Sequence, residues 1–186
     1  MDITSYVSGY NDVITQFLSD SANSESLETC VSLIKQANQN NKKTILVGNG
    51  GSAAIAEHMA VDLTKNAGVR ATTISGTPML TTIANDYGYD YVFSKGIEAF
   101  ADAGDVLIAI SSGGSSANIL NAVKVAKTKG LSTITFSGFD ANNPLRQLGD
   151  INFWVDSKAY GYVELFHNFL IHYINDKIIG KVVYKF

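Results

Sequence analysis

The chain has 186 residues, a formal net charge of −3, 46% hydrophobic and 17% charged residues, which suffices for one α/β domain with a full core. The acidic balance argues against a nucleic-acid partner bound through a basic surface, and a lone Cys30 on an apolar helical stripe excludes an intrachain disulfide framework. No stretch reaches the about 18 apolar residues of a membrane helix, and the polar start MDITSYVSGY lacks the regions of a signal peptide, so a cytoplasmic protein with no membrane partner is expected.

Residues 3–18 carry Ile3, Tyr6, Val7, Tyr10, Val13, Ile14, Phe17 and Leu18 at helical intervals. That arc is wider than one sheet face needs, which predicts a helix packed partly against another subunit. After a polar break at 20–24, Ser24 opens a second helix to about residue 40, with Leu27, Cys30, Val31, Ile34 and Ala37 on one stripe.

Alternating α/β units follow. Strands are predicted at about 44–48, 70–75, 106–110, 132–136 and 151–155. Helices are predicted at about 52–66, 78–85, 90–101, 116–129, 144–148 and, after a break at Gly161, 162–178. Continuous apolar strands between helices indicate a doubly wound five-stranded parallel sheet, preceded by two N-terminal helices. We expect one domain over 1–186, with 1–40 as a helical oligomerisation segment and 41–186 as the α/β core with its C-terminal helix.

Two loops leave the carboxyl edge of such a sheet, where ligands bind. The first, Asn49-Gly50-Gly51-Ser52, combines glycines with a helix start, which suits an anion. In the second, Ser111, Ser112, Ser115 and Ser116 surround Gly113 and Gly114. Four serines exceed what a helix cap requires and suit a phosphate monoester. Neither loop matches the Walker or Rossmann glycine pattern, so no nucleotide cofactor is expected.

His58 and Asp62 share a helix face, and Glu164 and His172 lie eight apart on the last helix, with His167 between them. Two His and two carboxylates suit a divalent metal or an acid–base pair. Singly, each is better explained by a salt-bridged surface or a satisfied core histidine; taken together with the two anion loops, the balance reverses. Asn85-Asp86 reads first as a turn after a short helix and second as a pair for sugar hydroxyls.

Four segments in order, GNGGSAAIAEHMAVDLT, IANDYGYDYVFS, ISSGGSSANIL and VELFHNFLIH, resemble the sugar isomerase (SIS) domain and, within it, the bacterial phosphoheptose isomerases. The resemblance covers nearly the whole chain. It implies a flavodoxin-like sheet, a homotetramer with sites at subunit interfaces, and interconversion of sedoheptulose 7-phosphate with D-glycero-D-manno-heptose 7-phosphate for lipopolysaccharide or capsule. It implies substrate contacts at Asn49, Gly50, Gly51, Ser52, Asp62, Asn85, Asp86 and Glu164, and a phosphate loop at Ser111, Ser112, Gly113 and Ser116. It implies zinc held by His58, Asp62, Glu164 and His172, with Asp62, Glu164 and His172 as catalytic groups. The chain departs from the family at five positions: Asp62 replaces Glu, Glu164 replaces Gln, Gly113 replaces Ser, Asn66 replaces Arg and Gly161 replaces Asp. Two alternatives stand beside it: a SIS isomerase for another sugar phosphate, and a non-catalytic SIS tetramer that binds a protein such as a replication initiator.

Overall fold

A computed structural model describes residues 2–183; residue 1 and residues 184–186, the ends of the two expected segments, lie outside it. Helix α1 (Ile3–Ser19) starts where Asp2 accepts the Ser5 N–H at 2.9 Å. Asp20 ends α1 and caps α2 (Ser21–Gln39), accepting the Ala22 N–H at 3.0 Å. One residue thus does the work expected of a five-residue break, because an Asp side chain can satisfy a free helix donor directly.

Five strands follow: β1 (Thr44–Gly48), β2 (Ala71–Thr73), β3 (Val106–Ile110), β4 (Ser132–Gly138) and β5 (Ile151–Val155). They form one all-parallel sheet in the order β2-β1-β3-β4-β5. The central register aligns Leu46, Ile108 and Ile134. Every residue of β1 and β3 is buried, as a sheet covered on both faces requires. The edge strand β2 is shorter than expected, pairing with β1 at three positions. β4 runs two residues longer, because Ser137 and Gly138 pair with Trp154 and Val155.

Leu46, Ile108, Ile110 and Phe136 pack with α1, α2, α3 (Gly51–Lys65) and α7 (Tyr160–Ile179). Ile45, Val47, Leu107 and Ala109 pack beneath α4 (Thr77–Tyr87), α5 (Val92–Phe100) and α6 (Ala117–Thr128). Cys30 is buried in the first of these layers. Gly161 lies inside the first turn of α7 and does not break the chain. A Cβ there would sit 2.8 Å from the Tyr6 hydroxyl, so the phenol fills the space that a larger side chain would take. No helix among the described residues is long and apolar enough to cross a membrane.

Candidate active site

In this strand order the sequence of strand addition reverses between β1 and β3, and both Gly/Ser loops leave the carboxyl edge of the sheet at that point. Gly50 adopts φ +53, a conformation that a glycine takes without strain, and turns β1 into α3. The two loops are tied together by a reciprocal amide pair. Asn49 Nδ2 donates to Asn118 Oδ1, and Asn118 Nδ2 donates to Asn49 Oδ1, both at 2.9 Å. Tyr89 adds a third bond, its hydroxyl donating to Asn49 Oδ1 at 3.0 Å.

Between the loops lies a cleft of about 160 Å³, lined by Asn49, Ser52, Ser111, Ser112 and Ser116. Ile110, Gly113, Tyr160 and Glu164 complete it. Ser116 stands at the N-cap of α6, yet its side chain accepts no hydrogen bond from the helix. Ordinary capping therefore does not account for the serines. Ser112 Oγ is buried without a protein partner, and Ser111 Oγ accepts the Gly114 N–H at 3.3 Å. Hydroxyls and helix N–H groups so arranged can receive a phosphate. Ser115 faces solvent outside the cleft. Glu164 rests over the start of α3: a Cβ at Gly51 would lie 2.7 and 2.8 Å from its carboxylate oxygens. Gly51 thus makes room for a carboxylate at a positive helix end.

A second constellation lies further along the same helix pair. Asp62 Oδ2 is 3.4 Å from His58 Nε2 and 3.7 Å from His172 Nδ1, and one ligand atom from each residue lies within 4.8 Å of the others. Asn66 Nδ2 donates to Asp62 Oδ1 at 3.1 Å and fixes the carboxylate. Tetrahedral bonds of about 2.05 Å place ligand atoms about 3.3 Å apart, so two imidazoles and a carboxylate at these spacings form a candidate site for a divalent ion. The His58 and His172 side chains are about half exposed, at 51% and 46%, whereas Asp62 is 13% exposed.

Not every expected site residue joins these two groups. Glu164 belongs to the cleft and not to the His58–Asp62–His172 cluster of the same chain. Eight residues of helix, about 12 Å of rise, separate it from His172. Asn85 and Asp86 occupy the last turn of α4, not a loop, where Asn85 Nδ2 donates to Asp86 Oδ1 at 2.8 Å and both are exposed. They do not line the cleft.

His167 is a core residue: its Nε2–H donates to the Ser137 carbonyl at 3.2 Å, and Phe136 packs edge-on against its ring. Burial pushes its pKa down from 6.5 to about 4. The unfolded chain therefore binds an extra proton between these values. Stability is full above about pH 6.5 and falls by up to about 3 kcal/mol as pH drops to 4. Urea unfolding at pH 7 and pH 4.5 measures the loss. His167→Gln, uncharged and still a donor, removes most of that slope.

Sequence reasoning missed Asn118, Tyr89 and Tyr160. Asn118 had one signal: a polar amide two residues after the serine loop, in the first turn of a helix that is otherwise apolar there.

The SIS domain model matches residues 5–138, which sets the class of the protein. The phosphoheptose isomerase of Campylobacter concisus is 41% identical over 157 residues, 80% of this chain and 82% of that protein. The phosphoheptose isomerase of Vibrio vulnificus is 37% identical over 169 residues, 88% of each. Among solved structures, the phosphoheptose isomerase of Neisseria gonorrhoeae superposes with a TM-score of 0.88 at 32% identity, covering 95% of this chain and 97% of that one. The chain belongs to the SIS-domain family and, within it, to the phosphoheptose isomerases.

Proposed function

We propose that this chain is an aldose–ketose isomerase that interconverts sedoheptulose 7-phosphate and D-glycero-D-manno-heptose 7-phosphate through an enediol. It would work in the cytoplasm and supply heptose for lipopolysaccharide or capsule. The observation that carries this reading is the pairing of an uncapped serine loop with a separate His–Asp–His cluster on the helices beside it. The loop holds the phosphate, so that binding energy from the unreactive end positions the carbons that react. A carboxylate takes a proton from C1 of the ketose while an acid gives one to the C2 oxygen. The enediol that forms then receives a proton at C2 and loses the one on O1, leaving an aldehyde at C1. Asp62, with His172 3.7 Å away, is our assignment for the carboxylate and His172 for the acid. Glu164, beside Asn49 and Ser52 in the cleft, orients the sugar hydroxyls. Alternatively, His58, Asp62 and His172 would hold zinc, which when bound polarises the sugar carbonyl as a Lewis acid in place of the His172 proton.

The cluster is open to solvent on its histidine side and lies about two helical turns from its own cleft. We therefore place the complete site between subunits of a homotetramer, with residues 1–40 as the assembling segment. Ile3, Val7 and Leu18 on α1 and Phe169 and Tyr173 on α7 are exposed apolar residues that such an assembly would cover.

The test is NMR of sedoheptulose 7-phosphate incubated with the purified protein, with and without zinc. Conversion to the aldose is expected. No conversion with sugar-phosphate binding intact would shift the assignment to another sugar phosphate, which the departures at Gly113 and Gly161 would then explain. Failure of both would leave a non-catalytic, protein-binding tetramer.

A further inference from the structure

One feature of the cleft belongs to neither the phosphate loop nor the His–Asp–His cluster. Phe139 has φ +60, a left-handed conformation that a bulky side chain adopts only where its surroundings enforce it. Two backbone bonds do so: Gly138 N–H donates to the Ser112 carbonyl at 2.8 Å, and Phe139 N–H donates to the Ser157 carbonyl at 3.0 Å. The first of these ties the end of β4 directly to the phosphate loop. The Phe139 ring then lies over the loop, its nearest atom 3.7 Å from where a Cβ on Gly113 would be.

Tyr160 stands edge-on against that ring, with centroids 4.7 Å apart and planes at 82°. It is the first residue of α7, it lines the cleft, and it is 64% exposed. An aromatic side chain held by one ring contact among the described residues, open to solvent, beside a row of serine hydroxyls, is placed to be covered by a ligand.

We propose that Tyr160 contacts the carbon chain next to the bound phosphate, with Phe139 as the residue that positions it. The inference rests on the reading of 111–116 as a phosphate loop and deepens it. The serines recognise the phosphate, and the aromatic pair recognises that a polyhydroxylated carbon chain is attached. The ring packs on the C–H groups of that chain, and the phenol hydroxyl is available to its oxygens. Selection of a sugar phosphate over free phosphate would thus lie in Phe139 and Tyr160.

Calorimetric titration with two probes, glucitol 6-phosphate and inorganic phosphate, tests this. Tyr160→Ala should weaken glucitol 6-phosphate about ten-fold, the scale of one aromatic contact, and leave inorganic phosphate within about two-fold. Tyr160→Phe should retain most of the affinity. Phe139→Gly removes the positioning ring and accepts φ +60 without strain. Because the ring also packs on the core, the melting temperature should fall, and at a temperature where the variant is still folded glucitol 6-phosphate should bind about five-fold more weakly. Equal weakening of both probes in Tyr160→Ala would overturn the proposal, since the residue would then serve the phosphate loop itself. Unchanged affinity for both, with a changed mass by light scattering, would assign the pair to subunit contact and overturn it as well. Binding of neither probe by the unaltered protein would remove the phosphate-loop reading, and this inference with it.

Discussion

Asp62→Asn should lower the isomerisation rate by about 10³-fold, within the range for losing a positioned acid–base group, while the protein stays folded. The side chain is nearly isosteric, and its amide oxygen still accepts the Asn66 bond that now goes to Asp62 Oδ1. What is lost is the negative charge between His58 and His172. That charge is the proton acceptor in the proposed reaction and one of three candidate ligands for zinc. Metal content after dialysis should fall together with turnover. His172→Ala should match the loss in rate, because it removes the partner acid and a second ligand. Full activity in both variants, measured on sedoheptulose 7-phosphate, would remove the assigned roles.

Gly114→Ala is the structural counterpart, with an expected cost of about 4 kcal/mol, the sum of left-handed strain and disrupted buried hydrogen bonds. Gly114 has φ +65, and a Cβ there would fall inside the side-chain amide of Asn143. That amide is buried and fully engaged. Its Nδ2 donates to Ser137 Oγ at 3.2 Å and to the Gly138 and Asp140 carbonyls at 3.2 and 2.8 Å, and its Oδ1 accepts the Arg146 N–H at 2.9 Å. Gly114 N–H also closes the serine-loop turn onto the Ser111 carbonyl at 3.0 Å, so on the proposed role of that loop phosphate affinity should fall with stability. Gly113→Ala, one residue earlier, meets only Phe139 carbons at 3.7 and 3.9 Å and should cost under about 1 kcal/mol. Urea unfolding of the pair checks the contrast, and equal stability of the two variants would refute the account.

Much of the fold was legible because it rests on neighbours in sequence. Val106–Ile110 reads as a doubly covered strand from five apolar residues in a row, and all five are buried. The serine loop announces itself by composition. His58 and Asp62 fall together because four residues are one turn of helix. A helix end was legible where a residue type marks it, as Gly130 does after α6 by taking a positive φ. Asn85 and Asp86 carry turn chemistry, yet they continue α4, since Gly88 two residues later takes the positive φ that ends it.

Contacts between distant residues needed the tertiary structure. Asn49 and Asn118 are 69 positions apart, and nothing local marks them as an amide pair. The i and i+8 spacing of Glu164 and His172 says that they share a helix, but not which part of α3 each meets. α7 docks beside α3 with their starts together, which sets Glu164 over Gly51 and His172 against His58 and Asp62. The sequence by itself determined the sheet, the two anion-friendly loops and the family, because strand, turn and helix patterns are set by residues a few positions apart. Tertiary structure alone decided that the cleft and the His–Asp–His cluster are separate in one chain and that Phe139 leans over the serine loop. Those outcomes depend on how helices pack across a common sheet, and no short-range spacing encodes that.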